Sequence, residues 1–264
     1  AVWAGVQPKL VASNRSTGFL ANYRNLSEDD WEACQMLFLC TPDNPSGAVI
    51  PESELQWLIQ KAIEHDVILV SDECYSELYY DEAAPPVGLL QAAQSHGNSE
   101  FKQCLAFHSL SKRSNLPGLR SGFVAGDASL IQVFRRYRTY HGCAMPPHHQ
   151  LASIAAWRDE AHVVENRALY RAKFDSVNAL LAPALNTVIP PAGFYLWPNT
   201  PISDTEFARS LLEQQNVAVL PGSYLGREVG GQNPGSNHVR MALVATHQET
   251  LEAAERIVDF VKRG

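Results

Sequence analysis

What most constrains the fold of this chain is a repeated alternation over its first 140 residues. Short apolar runs rich in branched side chains are separated by stretches of helical periodicity. MLFLC (36–40), VILVSDE (67–73), CLAFHS (104–109) and RSGFVAG (120–126) each have the length and composition of a buried strand. Between the first two lies ESELQWLIQKAIEH (52–65), which follows Pro51 and sets Leu55, Leu58, Ile59 and Ala62 on one helical face. Ser27 suits the N-cap of a short helix, SEDDWEAC, and SLIQVFRRYRTY (129–140) reads as a further helix. Strands and helices alternating in this way predict an α/β fold, a mainly parallel sheet covered on both faces.

Past residue 160 the pattern changes. A long helix is predicted over 160–182, stopped by Pro183, with Val163, Tyr170, Phe174, Val177 and Leu181 on one side. A strand GFYLW (193–197), a helix capped by Ser203 with Glu206 at its third position, and a short strand VAVL (217–220) follow. A Gly-rich loop (226–235), a strand VRMALV (239–244) and a last helix with a capping box of Thr246 and Glu249 complete the chain. The division expected is a large domain over 1–160, incomplete, and a smaller C-terminal α+β domain over 161–264. The opening AVWAGVQPKLVA reads as the tail of a helix, a turn and a strand, entered in mid-domain.

Composition narrows the function classes. A net charge of −7 argues against nucleic acid and against an anionic membrane surface as partners. No apolar run has the length of a membrane span and no signal peptide opens the chain. The five cysteines are scattered without a CxxC pair, as expected of reduced core thiols in a cytoplasmic protein. His141, His148 and His149 lack the spacing of a zinc pair backed by a carboxylate, so no metal is expected.

The chemistry gathers at strand ends. In CLAFHSLSKRSNLPGLRSGFVAG (104–126), an apolar run leads into Ser109-Leu110-Ser111-Lys112, then a turn with Gly and Pro, then Arg120 and a second apolar run. This reads as strand, loop, strand. A lysine held between two buried strands loses hydration, its ammonium pKa falls, and its amine can attack a carbonyl, as a Schiff-base lysine must. Asp72 ends VILVSD, where an open α/β sheet places its ligands, and a desolvated carboxylate there needs a cationic partner. Tyr75 follows it, and Asn44-Pro45-Ser46-Gly47 turns at the end of the strand before. A lone loop lysine is ordinarily solvated and a lone strand-end aspartate ordinarily caps a turn. Three successive strand ends, however, bring an amide, a carboxylate, a phenol, an amine and an anion site toward one pocket.

Those groups match pyridoxal 5′-phosphate. Lys112 suits its aldehyde, and Asp72 would keep the pyridine nitrogen protonated so that the ring acts as an electron sink. Tyr75 and Asn44 suit the phenolate oxygen. Ser109, Ser111 and the fork of Arg120 suit the phosphate.

NPSG (44–47), DECY (72–75) and SLSK (109–112) followed eight residues later by Arg120 resemble the class I/II aminotransferases of the fold type I pyridoxal-phosphate family. The order and spacing of the motifs run through essentially the whole chain. The resemblance implies that Lys112 is catalytic and also carries the proton between substrate Cα and cofactor C4′. It implies that Arg240, in HVRMALV, binds the substrate α-carboxylate as a bidentate fork, with Asn44 beside the substrate. Amino-acid and 2-oxo-acid substrates and a homodimer in the complete protein are implied as well. SKRSNLPGLRSGFVAGD, RYRTYHGCAMP, GFYLWPNTP and NPGSNHVRMALVA are similar to the bacterial N-succinyl-diaminopimelate aminotransferases of lysine biosynthesis. That likeness implies a ping-pong exchange in which one amino acid, commonly glutamate, loads the amine and a keto acid accepts it. Aspartate, aromatic and alanine aminotransferases share every chemical motif used here, and a β-lyase or decarboxylase of the same fold stays open. A non-catalytic effector-sensing module would need a DNA-binding domain, and no basic helix-turn-helix segment is visible. In the resembling family, part of the large domain precedes the point where this chain begins. Its phosphate-binding turn and its ring-stacking aromatic are not found in residues 1–43. The expectation is therefore a fragment of a protein of about 400 residues, beyond usual single-domain size. Alone, such a fragment is expected to bind the cofactor weakly and to turn over poorly.

Overall fold

A computed structural model describes residues 5–263. The chain divides into two compact units. One comprises Leu26–Leu169 with Pro191–Gly193; the other comprises the residues up to Asn25, Tyr170–Pro190 and the residues from Phe194 on. The sequence places a boundary after residue 160, whereas the units change over inside a single long helix and the early residues pack with the later ones. The helix tail expected at the start lies at residues 1–4, outside the described residues. Residues 6–12 form no strand, and a single bridge joins Ser13 to Ala21.

The first unit is built on a sheet of β1 (Met36–Cys40), β2 (Ile68–Asp72), β3 (Cys104–Ser109) and β4 (Gly122–Gly126), in that order. β1, β2 and β3 run parallel, and β4 returns antiparallel to β3. Parallel neighbours need a covered crossover, and α2 (Glu52–Glu64) supplies one between β1 and β2. Its buried face is Leu55, Leu58, Ile59 and Ala62. Each large side chain fully buried there contributes roughly 1.5–3 kcal/mol. Ahead of β1, α1 (Glu28–Ala33) starts at a capping box of Ser27 and Asp30 and buries Trp31. α3 (Leu89–Ser95) packs on α2 and β3.

The expectation of a sheet covered on both faces is corrected at β1. Met36 and Phe38, on alternate positions of one face, are 44% and 67% exposed. β1 is also the edge of the described sheet, with a paired neighbour on one side only, while Leu39 on its other face is buried. The helix over 129–140 is present as α5 (Ala128–Tyr140), started by the Asp127 side chain, and it buries no residue. Two further helices are α4 (Leu110–Arg113) and α6 (Pro147–Arg158).

α7 (Ala161–Leu185) carries Val163, Tyr170, Phe174, Val177 and Leu181 on its buried side. It runs through Pro183 instead of stopping there. Proline removes one N–H bond, but the Asn186 amide still closes on the Ala182 carbonyl at 2.9 Å and Leu185 is buried. The later unit then forms a small antiparallel sheet of β5 (Tyr195–Leu196), β6 (Leu220–Pro221) and β7 (Val239–Ala242), in the order β5-β7-β6. The flanking strands are shorter than the runs GFYLW and VAVL. Contact with β7 continues past both prolines: the Pro198 carbonyl accepts the Val239 amide at 3.1 Å, Asn199 bridges His238, and the Gly222 amide donates to the His238 carbonyl at 2.8 Å. α8 (Asp204–Gln215) is capped by Ser203 at the Glu206 amide, and α9 (His247–Arg263) by the reciprocal bonds of Thr246 and Glu249.

Candidate active site

The parallel register sets the floor of the site. Cys40 on β1 pairs with Asp72 on β2, and Asp72 with Phe107 on β3, so three strands reach their carboxyl ends almost level. Asp72 is the last residue of β2 and is exposed, not desolvated as the sequence suggested. Its side chain leaves the sheet at an open end, and Oδ1 accepts the Cys74 amide at 3.1 Å. Glu73, pointing the other way, is the buried acid: Oε1 accepts the Leu89 amide at 2.7 Å and the Ser71 hydroxyl at 2.9 Å. His108 Nε2 lies 3.4 Å from its other oxygen. This carboxylate was not singled out from the sequence, although strand alternation in DECY already separates the faces of Asp72 and Glu73.

Lys112 sits on the one-turn helix α4, not on the open loop expected, because the Ser109 hydroxyl accepts the Ser111 amide and starts a helical turn. It is half-buried, and its ammonium lies 5.9 Å from the centre of the buried Tyr75 ring. Cys74 registers the same neighbourhood. Burial first, then the Asp72 carboxylate, push its thiol up to about 12, against an opposing pull from the Lys112 charge. Lys112, Tyr75, Asp72 and Cys74 thus occupy one locality.

The anion ligands are close in part. Ser109 Oγ donates to Ser111 Oγ at 2.8 Å and lies 3.2 Å from the Ser121 carbonyl. Arg120 takes a left-handed backbone conformation (φ 53°), and its Nη1 donates to the Pro117 carbonyl at 2.7 Å while the residue stays exposed. Asn44 is exposed in the turn after β1, where Asp43 accepts the Ser46 amide and hydroxyl. Arg240 belongs to the other unit. It lies on β7, half-buried, with its guanidinium 4.5 Å over the Tyr195 ring. Among the described residues no group of three or more His, Cys, Asp and Glu could hold a metal ion, and no helix is long and apolar enough to cross a membrane.

Sequence reasoning also missed Arg113. It is 5% exposed and donates through Nη1 to the Ala156 carbonyl at 2.9 Å. The only signal was an arginine directly beside the lysine of interest.

The donor set fits pyridoxal phosphate on its chemistry. An amine faces a phenol ring, a carboxylate stands exposed at the adjoining strand end, and two hydroxyls within hydrogen-bond distance of each other precede an exposed guanidinium in the chain. A mainly parallel sheet carrying these groups at its carboxyl ends defines the fold type I pyridoxal-phosphate transferase class.

Comparison with known proteins agrees. The family model "Aminotransferase class I and II" matches residues 1–257. An LL-diaminopimelate aminotransferase of Maridesulfovibrio salexigens is 30% identical over 259 residues, 97% of this chain and 64% of the relative. The crystal structure of an aminotransferase from Neisseria meningitidis superposes with a TM-score of 0.92 at 43% identity, covering 98% of this chain and 65% of that one. A probable N-succinyldiaminopimelate aminotransferase from Thermus thermophilus gives 0.85 at 26% identity, covering 98% and 67%. This chain belongs to the class I and II aminotransferases, whose members depend on pyridoxal phosphate. It spans less than two thirds of the length of these curated relatives.

Proposed function

We propose that the protein containing this chain moves an amino group between an amino acid and a 2-oxo acid by a ping-pong cycle, with pyridoxal phosphate as cofactor. The observation that carries the reading is the half-buried Lys112 ammonium over Tyr75, beside the Asp72 strand end. When bound, the cofactor supplies a conjugated ring that accepts the electron pair left at the substrate Cα. Lys112 Nζ moves the proton at that Cα. The Asp72 carboxylate holds a proton on the ring nitrogen, and the Tyr75 hydroxyl and Asn44 amide donate to the ring oxygen. Ser109, Ser111 and Arg120 hold the phosphate, and Arg240, with Asn44, orients the substrate through its α-carboxylate.

For the substrate pair, N-succinyl-LL-2,6-diaminopimelate with 2-oxoglutarate is our reading. It is supported by the motif likeness and by the LL-diaminopimelate and probable N-succinyldiaminopimelate aminotransferases among the similar proteins. Five free thiols support a reducing, cytoplasmic setting, and the exposed Val133, Tyr137 and Tyr140 on α5 support a homodimer of the complete protein.

The test is Lys112→Ala in the full-length protein. Transamination should fall by on the order of 10²–10⁴-fold, the usual contribution of a positioned proton carrier. Turnover within about tenfold of the parent would place the proton transfer elsewhere.

A further inference from the structure

The segment that follows Lys112 is fastened to one place. Arg113, Ser114 and Asn115, the next three residues, each bond to α6 or to the start of α7. Arg113 Nη1 donates to the Ala156 carbonyl at 2.9 Å, its Nη2 pairs with the Glu160 carboxylate, and its guanidinium lies 5.1 Å over the Trp157 ring. Ser114 Oγ bonds His162 Nε2 at 2.9 Å, and Asn115 Nδ2 donates to Asn166 Oδ1 at 2.9 Å. At the far end of the segment Ser153 Oγ donates to Ser121 Oγ at 2.8 Å. The stretch from Lys112 to Ser121 is therefore held at both ends by the helices beneath it.

We propose that Arg113 is the positioning residue of Lys112: its buried guanidinium, seated on Trp157 and bonded to the Ala156 carbonyl, sets the direction in which the neighbouring lysine points. This rests on the pyridoxal-phosphate reading of the site. α4 is a single turn and has no length of its own to resist rotation. Lys112 and Arg113 share that one turn, so holding the Arg113 side chain limits the turn's freedom and with it the Lys112 Cα–Cβ direction. Glu160 is exposed, so its ion pair is screened and weak. The grip comes from the carbonyl bond and the Trp157 ring face, and the fixed fork of the guanidinium lets one side chain hold both at once, which a flexible ammonium stem does less well. A displacement of about 1 Å at a reacting atom lowers rate by on the order of a hundredfold, so this grip bears on capture of the cofactor more than on folding.

A positioning role and a merely structural one separate with two ligands in the full-length apoprotein. Pyridoxine 5′-phosphate has no aldehyde and reports the phosphate and ring contacts alone. Pyridoxal 5′-phosphate is in addition captured by the lysine: the amine condenses with the aldehyde, water leaves, and borohydride locks the carbon–nitrogen bond by delivering hydride. The locked mass on the Lys112 peptide identifies the capture site. In Arg113→Met, capture should slow by about tenfold or more while pyridoxine phosphate affinity stays within about twofold. Arg113→Lys should restore little of the rate, since it keeps the charge and loses the fork. Should Arg113→Met not fold, Trp157→Leu removes the stacking surface and is read by the same two measurements. An unchanged capture rate overturns the proposal. So does an equal fall in capture and in pyridoxine phosphate affinity, which is the mark of general loosening. If the parent protein itself is not labelled at Lys112, the cofactor reading has failed, independently of Arg113.

Discussion

The thiols around the site differ in what holds their protons. Burial pushes Cys40, Cys74 and Cys104 up to about 12, with the carboxylates of Asp43 and Asp72 adding to the effect at Cys40 and Asp72 at Cys74. Cys34 is raised by burial as well; against the expectation of five core thiols, Cys104 alone is fully buried, Cys34, Cys40 and Cys74 are half-buried, and Cys143 is exposed. The thiolate is the reacting species, so a thiol at about 12 is ionised near pH 7.5 only to the order of one part in 10⁴. Brief iodoacetamide treatment followed by peptide mass mapping should therefore label Cys143 first and leave Cys74 largely intact. Labelling of Cys74 at the rate of Cys143 would show that its surroundings are open. The same residues show what a sequence can disclose at this scale. That Lys112, Asp72 and Tyr75 lie near one another was legible because DECY and SLSK fell on neighbouring strand ends, and that is a statement about order along the chain. Burial was not legible, because it depends on what lies across the sheet. Asp72 proved exposed and Glu73, its neighbour, proved buried.

Elements follow local rules where the rule is self-contained. The caps at Ser27, Ser203 and Thr246 and the four-residue buried stripe of α2 were legible, since each depends on residues within one or two turns. α4 was not, since four residues carry too short a pattern. Nor was the exposed face of β1, because a run such as MLFLC reads the same at an edge as in the middle of a sheet. Asp204, the first residue of α8, shows an element end tied to distant chain. Oδ2 accepts the Ser223 amide at 2.8 Å and Oδ1 the Asn237 amide at 3.2 Å, so one buried carboxylate holds the loops beside β6 and β7. Burial raises its pKa, but these bonds outweigh burial and hold the carboxyl below its ordinary value. Replacement by alanine leaves two amides without acceptors. It should cost roughly 2–4 kcal/mol, counting about 1.5–3 for a hydrogen bond to a charged group. The urea midpoint measures it. Because the folded pKa is depressed, this contribution is complete above the unfolded value of about 3.9 and fades as pH falls below it. A variant as stable as the parent at neutral pH would show the two amides satisfied elsewhere.

At the scale of the whole molecule, the early residues fold back on the last third of the chain, which no local pattern discloses. Arg15 Nη1 donates to Asn199 Oδ1 at 2.7 Å across 184 positions, and Phe19 meets His238 edge-on at 5.8 Å. His238 is the centre of this closure. It is buried, stacked on Trp197 at 5.1 Å, and bonded through Nδ1 to the Ser236 carbonyl at 2.9 Å, which makes Nδ1 the protonated nitrogen. Burial lowers its pKa, and the Arg15 charge lowers it further, against upward pulls from the Ser236 carbonyl and the Asp204 carboxylate. The folded state therefore favours the neutral ring. Between the depressed folded pKa and the unfolded value of about 6.5, the unfolded chain binds more protons than the folded one, so stability rises with pH across that window and levels off above it. His238→Phe keeps an aromatic ring against Trp197 and removes the titration. Urea midpoints measured from pH 5 to 8, a range on the order of three units around the reference value, should fall for the parent relative to the variant as pH drops through the window and keep a constant difference above it. Parallel curves through the window would show that the imidazole is free to take up its proton in the folded protein, and that the closure between the early and late chain does not exclude charge.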